Sequence, residues 1–586
     1  MQYLKQNFDA IIIGAGGSGL ATALSLSKQN IKKIAIISKV LPNYSHTVAA
    51  KGGINASLSN VEEDSWLFHA FDTIKGSDYI ADTDSVEILC SQAKKSILEL
   101  EEIGVVFSRN NEGKIAQRAY GGQTKNFGQD KKVHRACYSK DDTGNAIHRS
   151  LYQQCLKNNI KFFNEFLVVD LIIDKLKKCH GCLAIDLNNG LLNFFQSKST
   201  IIATGGYSQI FNNTTSSTIC NGDGLAYVFE NGIPLQDMEF LQFHPTGIYN
   251  QGFLITEACR GEGGYLLNNK NERFLNKYDP KMMELASRDL IARAMSQEIK
   301  DGFGCGDQRD HLYLDLRHLG QDKLRTKLPG VVEMVKKFCN LDPLIDLIPV
   351  SPSAHYTMGG IPTNNQCNVL SSNLEEVNGL FAVGEAACIS VHGANRLGCN
   401  SLLDLIVFGK IAGINAAKHI LTYEINQIFD FQTTLQKSLA KFSKKFNKNT
   451  DNNINLWQLR LDFKKYNDLN LGVFRDHDII NNGIAYCQKL LSTLKSYNFK
   501  NHSLLWNDEL IAYYELKSLV LCAYASYFCA LNRKESRGAH YRNDYKTKSK
   551  EFQNHSVVIM DDNCKLVYSL KSVRRKSKYK ELNEIQ

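Results

Sequence analysis

Several histidines in this sequence stand in short blocks rich in glycine and small residues. His46 lies in SHTVAAKGGIN, whose side chains are too small for a core strand and too apolar for an ordinary loop. His244 lies in FHPTGI and His355 in HYTMGG, while GANRLG carries Arg396. Side chains of these types can bind anions or transfer protons. For a lone histidine, however, a capped loop residue is the simpler interpretation.

Two further blocks place arginines beside acids. TEACRGEGG contains Thr256, Glu257 and Arg260, and ASRDLIAR contains Arg288 and Asp289. Arginine is an unusual acid or base because its pKa exceeds 12. It can serve if its conjugate form is transient and is hydrogen-bonded into a relay. For any one of these arginines alone, a surface ion pair is the simpler interpretation.

A glycine loop near the N-terminus predicts a dinucleotide site. The apolar run Ile11 to Ile13 is typical of a buried parallel strand, and G-x-G-x-x-G follows at Gly14, Gly16 and Gly19. Such glycines permit a tight turn, and the helix N-terminus after them favours a pyrophosphate. The second strand, IKKIAIISK, ends on Ser38 and Lys39 instead of an acid, which makes NAD less favoured.

Two later strand-and-turn patterns indicate how the chain is organised. STIIATGGYS (199–208) and GLFAVGEAAC (379–388) resemble the later nucleotide-contacting strands of two-dinucleotide-fold flavoproteins. We therefore predict an α/β fold in which a discontinuous, Rossmann-like FAD domain carries an inserted α+β capping domain and is followed by a helical and a small C-terminal domain. The predicted ranges are 1–239 and 351–419 for the FAD domain, 240–350 for the capping domain, 420–532 for the helical domain and 533–586 for the C-terminal domain.

Composition sets broad limits. The net charge of +9 is spread over 586 residues, apart from the tail VRRKSKYK (573–580), for which a solvated tail is the default expectation. The sixteen cysteines show no regular spacing of a disulfide framework, which favours reduced thiols. The single C-x-x-C, at Cys179 and Cys182, is expected in a turn between strands. No apolar run reaches the roughly 18 residues of a membrane-spanning helix; the nearest is SLVLCAYASYFCAL (518–531).

Together these blocks resemble the flavoprotein subunits of succinate dehydrogenases and fumarate reductases. The matching blocks are GAGGSGLATAL, SHTVAAKGGIN, FHPTGI, LITEACRGEGGYL, ASRDLIAR, YLDLRHL, HYTMGGIPTN, VGEAACISVHGANRLGCNSLLDLIVFG and ESRGAHYRNDY. They occur in the family's order from residue 8 to about 545, whereas the last 40 residues match poorly. So many linked motifs make a chance resemblance very improbable.

The resemblance implies FAD bound covalently, through its 8α position, to His46. Free flavin is too weak an oxidant to take a hydride from a saturated carbon chain, and the 8α link raises its potential. The FAD contacts that carry over are Gly14, Ala15, Gly16, Gly17, Ser18, Gly19, Ser38, Lys39, Ser45, His46, Thr47, Gly52, Gly53, Asp223, Glu385, Ser401 and Leu402.

The resemblance also assigns the substrate residues. It implies succinate oxidation to fumarate, with the two carboxylates held by His244, Thr256, Glu257, His355 and Arg396. Arg288 matches the family's proton-transfer arginine, with Asp289 and Arg260 as the expected relay. No residue set for a metal ion is predicted.

Partners follow from the same family. This chain has no cysteine set for an iron–sulfur cluster, so an iron–sulfur subunit is implied, with membrane-anchor subunits passing electrons to quinone. The activity would then be that of a succinate:quinone oxidoreductase. The expected location is peripheral on the inner membrane, on the matrix side in a mitochondrion or the cytoplasmic side in a bacterium.

Four rival functions stay open at this point. A fumarate reductase runs the same chemistry in reverse, and sequence sets direction poorly. L-aspartate oxidase shares the fold, but that family lacks the flavin-linking histidine. An FAD-containing RNA-modifying protein predicts a basic face, whereas the charge here is diffuse and no nucleic-acid partner is expected. An inactive assembly subunit is disfavoured by the intact His46, Arg288, His355 and Arg396.

Lys51 departs from the family, which usually has Gln or Glu between A-A and G-G. A lysine cation facing the flavin would stabilise the anionic reduced form and raise its potential, so that Lys51→Gln and Lys51→Glu would lower it. Two alternatives are an ion pair that turns Lys51 away and burial that leaves it neutral.

Overall fold

The computed structural model describes residues 2–129, 132–423, 431–446, 454–561 and 563–585. Parts of the predicted helical domain, 424–430 and 447–453, lie outside the described residues. The strands are β1 (Leu4–Ile13), β2 (Ile34–Ser38), β3 (Ile54–Asn55), β4 (Gln117–Thr124), β5 (Lys132–Cys137), β6 (Lys161–Asn164), β7 (Phe166–Ile173), β8 (Cys179–Asp186), β9 (Leu192–Ile202), β10 (Leu235–Gln236), β11 (Leu241–Ile248), β12 (Tyr265–Leu267), β13 (Leu312–Asp315), β14 (Ile348–Thr357), β15 (Ile361–Pro362), β16 (Asn368–Leu370), β17 (Glu376–Ala382), β18 (Ala387–Cys388), β19 (Asn554–Met560) and β20 (Leu566–Ser572). The α-helices are α1 (Gly17–Lys28), α2 (Trp66–Gly76), α3 (Thr83–Ser91), α4 (Ala93–Glu102), α5 (Thr143–Lys157), α6 (Asp223–Glu230), α7 (Ala258–Gly261), α8 (Arg288–Glu298), α9 (Gln321–Lys327), α10 (Pro329–Cys339), α11 (Asn400–Leu421), α12 (Phe431–Ser443), α13 (Leu456–Asn470), α14 (His477–Ser496), α15 (Asp508–Asn532) and α16 (Lys580–Asn583).

The main sheet is built around β1. This strand pairs in parallel with β2 on one side and β9 on the other, so Ile11 lies between Ala35 and Thr200. Ile11, Ile12 and Ile13 are buried, as expected where helices cover both faces of a parallel sheet. The prediction of a buried parallel strand before the glycine loop is confirmed.

The sheet is discontinuous in sequence. β17 pairs in parallel with β9, although seven strands, β10 to β16, lie between them along the chain. The sheet is therefore completed only when the chain returns after residue 375, which confirms the predicted interrupted nucleotide-binding fold. The exact domain ranges stay a prediction.

The segment between these strands forms a second sheet. β11, β14, β13 and β12 pair antiparallel in that order. This sheet and the neighbouring helices bury an apolar cluster of their own, including Ile291, Leu314 and Val350. β11, α8 and β14 matter most here, because they carry His244, Arg288 and His355.

The longest helix, α15, contains the apolar stretch 518–531. The side chain of Asn507 caps its N-terminus by accepting a hydrogen bond from the Leu510 N–H, 3.0 Å away. Most of its residues are buried, because it packs against α14 and α6. No helix in the described part of the chain is long and apolar enough to cross a membrane.

Two local expectations are wrong. Cys179 and Cys182 lie inside strand β8, not in a turn, because β8 pairs with both β7 and β9 and buries both thiols. The tail at 573–580 is docked instead of fully solvated. Arg574 pairs with Asp84 (3.1 Å), and the Tyr579 ring packs edge-on against Trp66, 4.8 Å between centroids.

Candidate functional site

The glycine loop joins β1 to α1, and at two of its positions the backbone leaves no room for a side chain. Gly14 has φ +116°, and a Cβ there would lie 2.1 Å from the Ala203 carbonyl oxygen. A Cβ on Gly19 would lie 2.1 Å from the Gly14 carbonyl oxygen, so Gly19 lets α1 approach the loop. The Gly17 N–H donates to Thr47 Oγ1 at 3.0 Å. The loop therefore presents the N-terminus of a helix to an anionic group.

One cavity of about 1220 Å³ collects most of the predicted site residues. Among them it is lined by Gly14, Ala15, Gly16, Gly17, Ser18, Ser38, Lys39, Ser45, His46, Thr47, Gly52, Gly53, Asp223, His244, Thr256, Glu257, Arg288, His355, Glu385, Arg396, Ser401 and Leu402. Gly19, Arg260 and Asp289 do not line it. The structure thus joins the glycine loop and the substrate blocks into one continuous site.

Lys39, at the end of β2, is fixed by two carboxylates. Its Nζ lies 2.8 Å from Asp223 Oδ2 and 2.6 Å from Glu515 Oε1. Burial alone would lower the pKa of Lys39, but the two carboxylates raise it above its usual value. Glu515 also pairs with Arg460 at 2.5 Å. Sequence reasoning missed Glu515 and Arg460 because they lie in α15 and α13, far from the glycine loop.

His46 begins a short 3₁₀ turn (His46–Ala49) beside the cavity. Its Nδ1 accepts a hydrogen bond from the Ser217 N–H at 3.2 Å. Burial and the nearby Arg396 cation lower the pKa of His46 to about 4. The ring is therefore neutral at pH 7, with Nδ1 already used by the protein.

The segment after His46 approaches other backbone closely. Gly53 has φ +140°, and a Cβ there would lie 2.7 Å from the Cys137 carbonyl oxygen. Tyr120, which sequence reasoning missed, donates from its hydroxyl to the Gly52 carbonyl at 2.8 Å.

Lys51 forms an ion pair with Asp142 at 3.1 Å, and both side chains are well exposed. Lys51 thus forms an ion pair and also lines the cavity, so its effect on a flavin potential stays a prediction.

His244 presents an unsatisfied donor. Its Nδ1 accepts a hydrogen bond from the Thr246 N–H at 3.2 Å, so the neutral ring carries its proton on Nε2. Nε2 is buried and has no hydrogen-bond partner among the described residues. Burial, Arg288 and His355 hold the pKa of His244 well below its usual value. A buried N–H without a partner is costly, which favours an acceptor such as a carboxylate here.

Two arginines converge on Gln242. Its Oε1 accepts from Arg288 Nη1 at 3.2 Å and from Arg396 Nη2 at 3.1 Å. Arg396 also donates to Ser401 Oγ at 3.1 Å, and its buried Nε has no partner among the described residues. Burial and the Arg288 cation lower the pKa of Arg396 to about 10. Gln242 was missed, although it stands two residues before His244 on β11.

Of the two residues expected in the relay, the structure brings Arg260 but not Asp289 to the pair formed by Arg288 and Glu257, and the relay itself stays a prediction. Arg288 Nε donates to Glu257 Oε2 at 2.9 Å, and Arg260 Nη2 lies 3.7 Å from the same oxygen. Asp289 accepts instead from Arg293 Nη2 and Asn395 Nδ2, each at 2.8 Å. Because Asp289 follows Arg288 directly in α8, its side chain leaves the helix about 100° further around the axis. Glu257, predicted to contact substrate, is the acid that joins the two arginines.

The remaining predicted contacts also line the cavity. Glu385 Oε1 accepts from the Thr357 N–H at 3.0 Å, and burial raises the pKa of Glu385 to about 7. Leu402 and Thr256 are buried, and Ser45 Oγ has no partner among the described residues.

Comparison with known proteins places these features in a family. A family model described as an FAD binding domain matches residues 9–402, and a fumarate reductase flavoprotein C-terminal model matches residues 460–583. The succinate dehydrogenase flavoprotein subunit of Rickettsia conorii is 43% identical over 97% of this chain and 96% of its own length. The mitochondrial succinate dehydrogenase [ubiquinone] flavoprotein subunit of Oryza sativa subsp. japonica is 42% identical over 94% of this chain and 88% of its own.

Solved structures agree with the sequence relatives. A quinol fumarate reductase of E. coli superposes with a TM-score of 0.91 at 32% identity, covering 98% of each chain. The second family model continues to residue 583. The last 40 residues, which match the family's motifs poorly, are thus covered by a family model as far as residue 583, although the short blocks quoted for the resemblance end before the hairpin β19–β20.

Proposed function

This chain belongs to the succinate dehydrogenase and fumarate reductase flavoprotein family, and we propose that it is the flavoprotein subunit of a succinate dehydrogenase. One observation carries the assignment of the substrate: Arg288, Arg396, His244 and His355 meet in the cavity that the glycine loop and His46 also line. Two cations and two neutral histidines suit a small dicarboxylate better than a neutral or cationic substrate.

The residues fit FAD. The glycine cradle, the α1 N-terminus and the unpartnered Ser45 Oγ and Asp223 Oδ1 offer donors and acceptors along the cavity. We place the covalent attachment at His46, because Nδ1 accepts the Ser217 N–H and leaves Nε2 for the bond. FAD supplies the hydride acceptor when bound.

The chain's own residues then bind succinate and move a proton. His244 donates from Nε2–H to one carboxylate, and Arg396 and His355 hold the substrate's charge. Arg288 is a cation before the reaction, so it passes its Nε proton to the ionised Glu257 as it takes the proton from the methylene that does not lose the hydride, giving fumarate. The bond between Arg288 Nε and Glu257 Oε2 supports onward transfer through Glu257 toward Arg260. Burial alone would raise the pKa of Glu257, but Arg288 and Arg260 lower it, so the acid is ionised.

Fumarate reduction is the second candidate. It uses the same residues in reverse, and a fumarate reductase is among the structural relatives at 32% identity. The 42–43% identity to succinate dehydrogenase subunits favours oxidation. An L-aspartate oxidase is less favoured because His46 is present.

We extend the proposal to partners. Reoxidation by quinone, as the names of the ubiquinone- and quinol-linked relatives indicate, requires an iron–sulfur subunit and membrane-anchor subunits carrying the quinone site. The chain would then act as part of a succinate:quinone oxidoreductase, peripheral on the matrix side of the mitochondrial inner membrane or the cytoplasmic side of a bacterial one.

Denaturing electrophoresis with ultraviolet excitation tests the flavin link. A fluorescent band at the mass of the chain, 65.9 kDa, is expected after acid precipitation. The His46→Ser variant serves as the non-fluorescent control. A wild-type band without fluorescence would contradict covalent attachment and leave oxidase-like functions open.

Arg288→Lys tests the proton-transfer role. The lysine keeps a cation but cannot bond Glu257 and Gln242 with one rigid planar group. We expect FAD attachment and malonate binding to stay nearly intact while succinate turnover falls by at least about 10²-fold. Arg293→Lys, in the same helix and paired with Asp289, is the matched control. An Arg288→Lys enzyme that keeps more than about a tenth of wild-type turnover would show that another residue transfers the proton.

A further inference from the structure

A short loop, residues 212–218, is pinned to the strand that carries His355. The Ala354 N–H donates to the Asn213 carbonyl at 3.0 Å, and the Thr215 N–H donates to the Ala354 carbonyl at 2.9 Å. These two bonds flank the Thr215 side chain, which is 7% exposed. Its position relative to His355 is therefore set by backbone pairing.

The Thr215 hydroxyl meets the His355 ring. Thr215 Oγ1 lies 2.8 Å from His355 Nδ1. Its other neighbour, the Ala354 carbonyl oxygen, is 3.4 Å away and already accepts from the Thr215 N–H and from Thr214 Oγ1, each at 2.9 Å. A carbonyl oxygen has two lone pairs, so the Thr215 hydroxyl donates to Nδ1. That leaves the ring proton of a neutral His355 on Nε2.

The tautomer matters because this histidine stays neutral. Burial, the cations of Arg396 and Arg288, and the neighbouring His46 hold the pKa of His355 well below its usual value. His244, whose ring centroid is 5.2 Å away, is neutral for the same reasons. A neutral imidazole donates to a carboxylate from only one nitrogen, and the hydrogen bond at the other nitrogen decides which.

His244 shows the same arrangement by a different route. Its Nδ1 accepts from a backbone N–H, that of Thr246, which cannot reverse its role as donor. At His355 a hydroxyl takes this place. The backbone therefore determines the tautomer of His244, and a single side chain determines the tautomer of His355.

We propose that Thr215 is a positioning residue that selects the Nε2–H tautomer of His355 and so allows this histidine to donate to a substrate carboxylate. The inference rests on the proposed function, since it requires that His355 binds a dicarboxylate. It adds a residue and a reason to that function: Thr215 acts through His355 without contacting the reacting atoms.

Thr215→Val in the FAD-loaded protein tests the proposal, because valine keeps the shape and removes the donor. Malonate Kd, from the flavin difference spectrum, and succinate KM should each rise about tenfold, the scale of one hydrogen bond, while kcat falls less. Thr215→Ser keeps a hydroxyl and should restore both. Because His355 stays neutral from pH 8 to pH 6, the ratio of variant to wild-type Kd should stay the same across this range.

Thr214→Val is the matched control. It removes a hydroxyl of the same loop that bonds Ala354 and not His355, so malonate Kd should stay close to the wild-type value. Equal malonate affinity in Thr215→Val and wild type, or a Thr215→Ser variant that binds malonate as weakly as Thr215→Val, would overturn the role of Thr215. Failure of the wild-type protein itself to bind malonate or oxidise succinate would instead contradict the proposed function.

Discussion

Three histidines line the cavity, and each uses Nδ1 within the protein. His46 accepts from the Ser217 N–H, His244 from the Thr246 N–H and His355 from the Thr215 hydroxyl. The pKa of His46 is lowered to about 4 by burial and by Arg396, and those of the other two are also well below 6.5. Before the reaction, positive charge at this site therefore comes from Arg288 and Arg396, while the histidines contribute oriented N–H groups.

His46→Ser should separate flavin attachment from flavin binding. The glycine cradle and Lys39 do not depend on His46, so FAD should still bind, now non-covalently. The rate of succinate oxidation should fall to a small fraction of the wild-type rate, because the unlinked flavin has a lower reduction potential. Fumarate reduction with an artificial donor should persist for the same reason. The measurement is activity in both directions at equal FAD content. An equal loss in both directions would mean that His46 acts by something other than the potential.

Helices α13 and α15 complete a site that begins at the other end of the chain. Glu515 on α15 pairs with Lys39 at the end of β2 and with Arg460 on α13. The pKa of Glu515 would be raised by burial but is lowered by these two cations. The helical region is thus joined to the nucleotide-binding sheet by a mostly buried ion-pair network.

Glu515→Gln should weaken this junction. Without the Glu515 carboxylate, the buried charges of Lys39 and Arg460 are less well balanced. Breaking a buried ion pair by removing one partner costs about 3 kcal/mol of stability. We expect the free energy of unfolding to fall by that order in denaturant titrations. Glu584→Gln, which breaks the exposed pair with Lys580, should cost well under 1 kcal/mol. Similar small losses in both variants would contradict a structural role for the network.

The C-terminal hairpin locks onto the rest of the molecule through His555. Its ring lies 2.7 Å from Asp237 Oδ2 and 3.2 Å from Asp82 Oδ1, and all three side chains are buried. Asp237 precedes the strand that carries His244, and the Asp82 N–H donates to the Ser390 carbonyl, six residues before Arg396. The hairpin therefore connects the start of the strand that carries His244 with the start of the segment that leads to Arg396. Both segments reach the cavity.

The buried cluster of His555, Asp237 and Asp82 should make the free energy of unfolding depend on pH in the alkaline range. Burial alone would lower the pKa of His555, but Asp237 and Asp82 raise it to about 9. Arg574 and Lys571 are cations that act on Asp82, and Arg533 acts on Asp237. A raised pKa in the folded state stabilises the protein fully below about pH 6.5, and this contribution is lost as pH rises through about 9.

The unfolding midpoint of the wild type, measured in denaturant from pH 7 to 10, should therefore fall with pH. In His555→Gln, which hydrogen-bonds but does not titrate, the midpoint should be lower at pH 7 and flatter across this range. His502→Gln, in an exposed position, is the control and should follow the wild type. A wild-type slope retained in His555→Gln would assign the pH dependence to other groups.

The sequence by itself determined what depends on neighbours along the chain. The glycine loop, the buried strand before it and the order of the site blocks could be predicted because the steric demands at Gly14 and Gly19 and the apolar run Ile11 to Ile13 are local. The same blocks predicted the family and most of the side chains that line the cavity.

Only the tertiary structure decided the partners of charged and polar groups. Lys39 pairs with Glu515, Arg288 with Glu257 instead of Asp289, and Lys51 with Asp142. Gln242 and Thr215 gain their roles the same way, through contacts with residues remote in sequence. Coulombic and hydrogen-bond energies depend on separations of a few ångströms in space. Spacing along the chain does not encode those separations until the sheets and helices have packed.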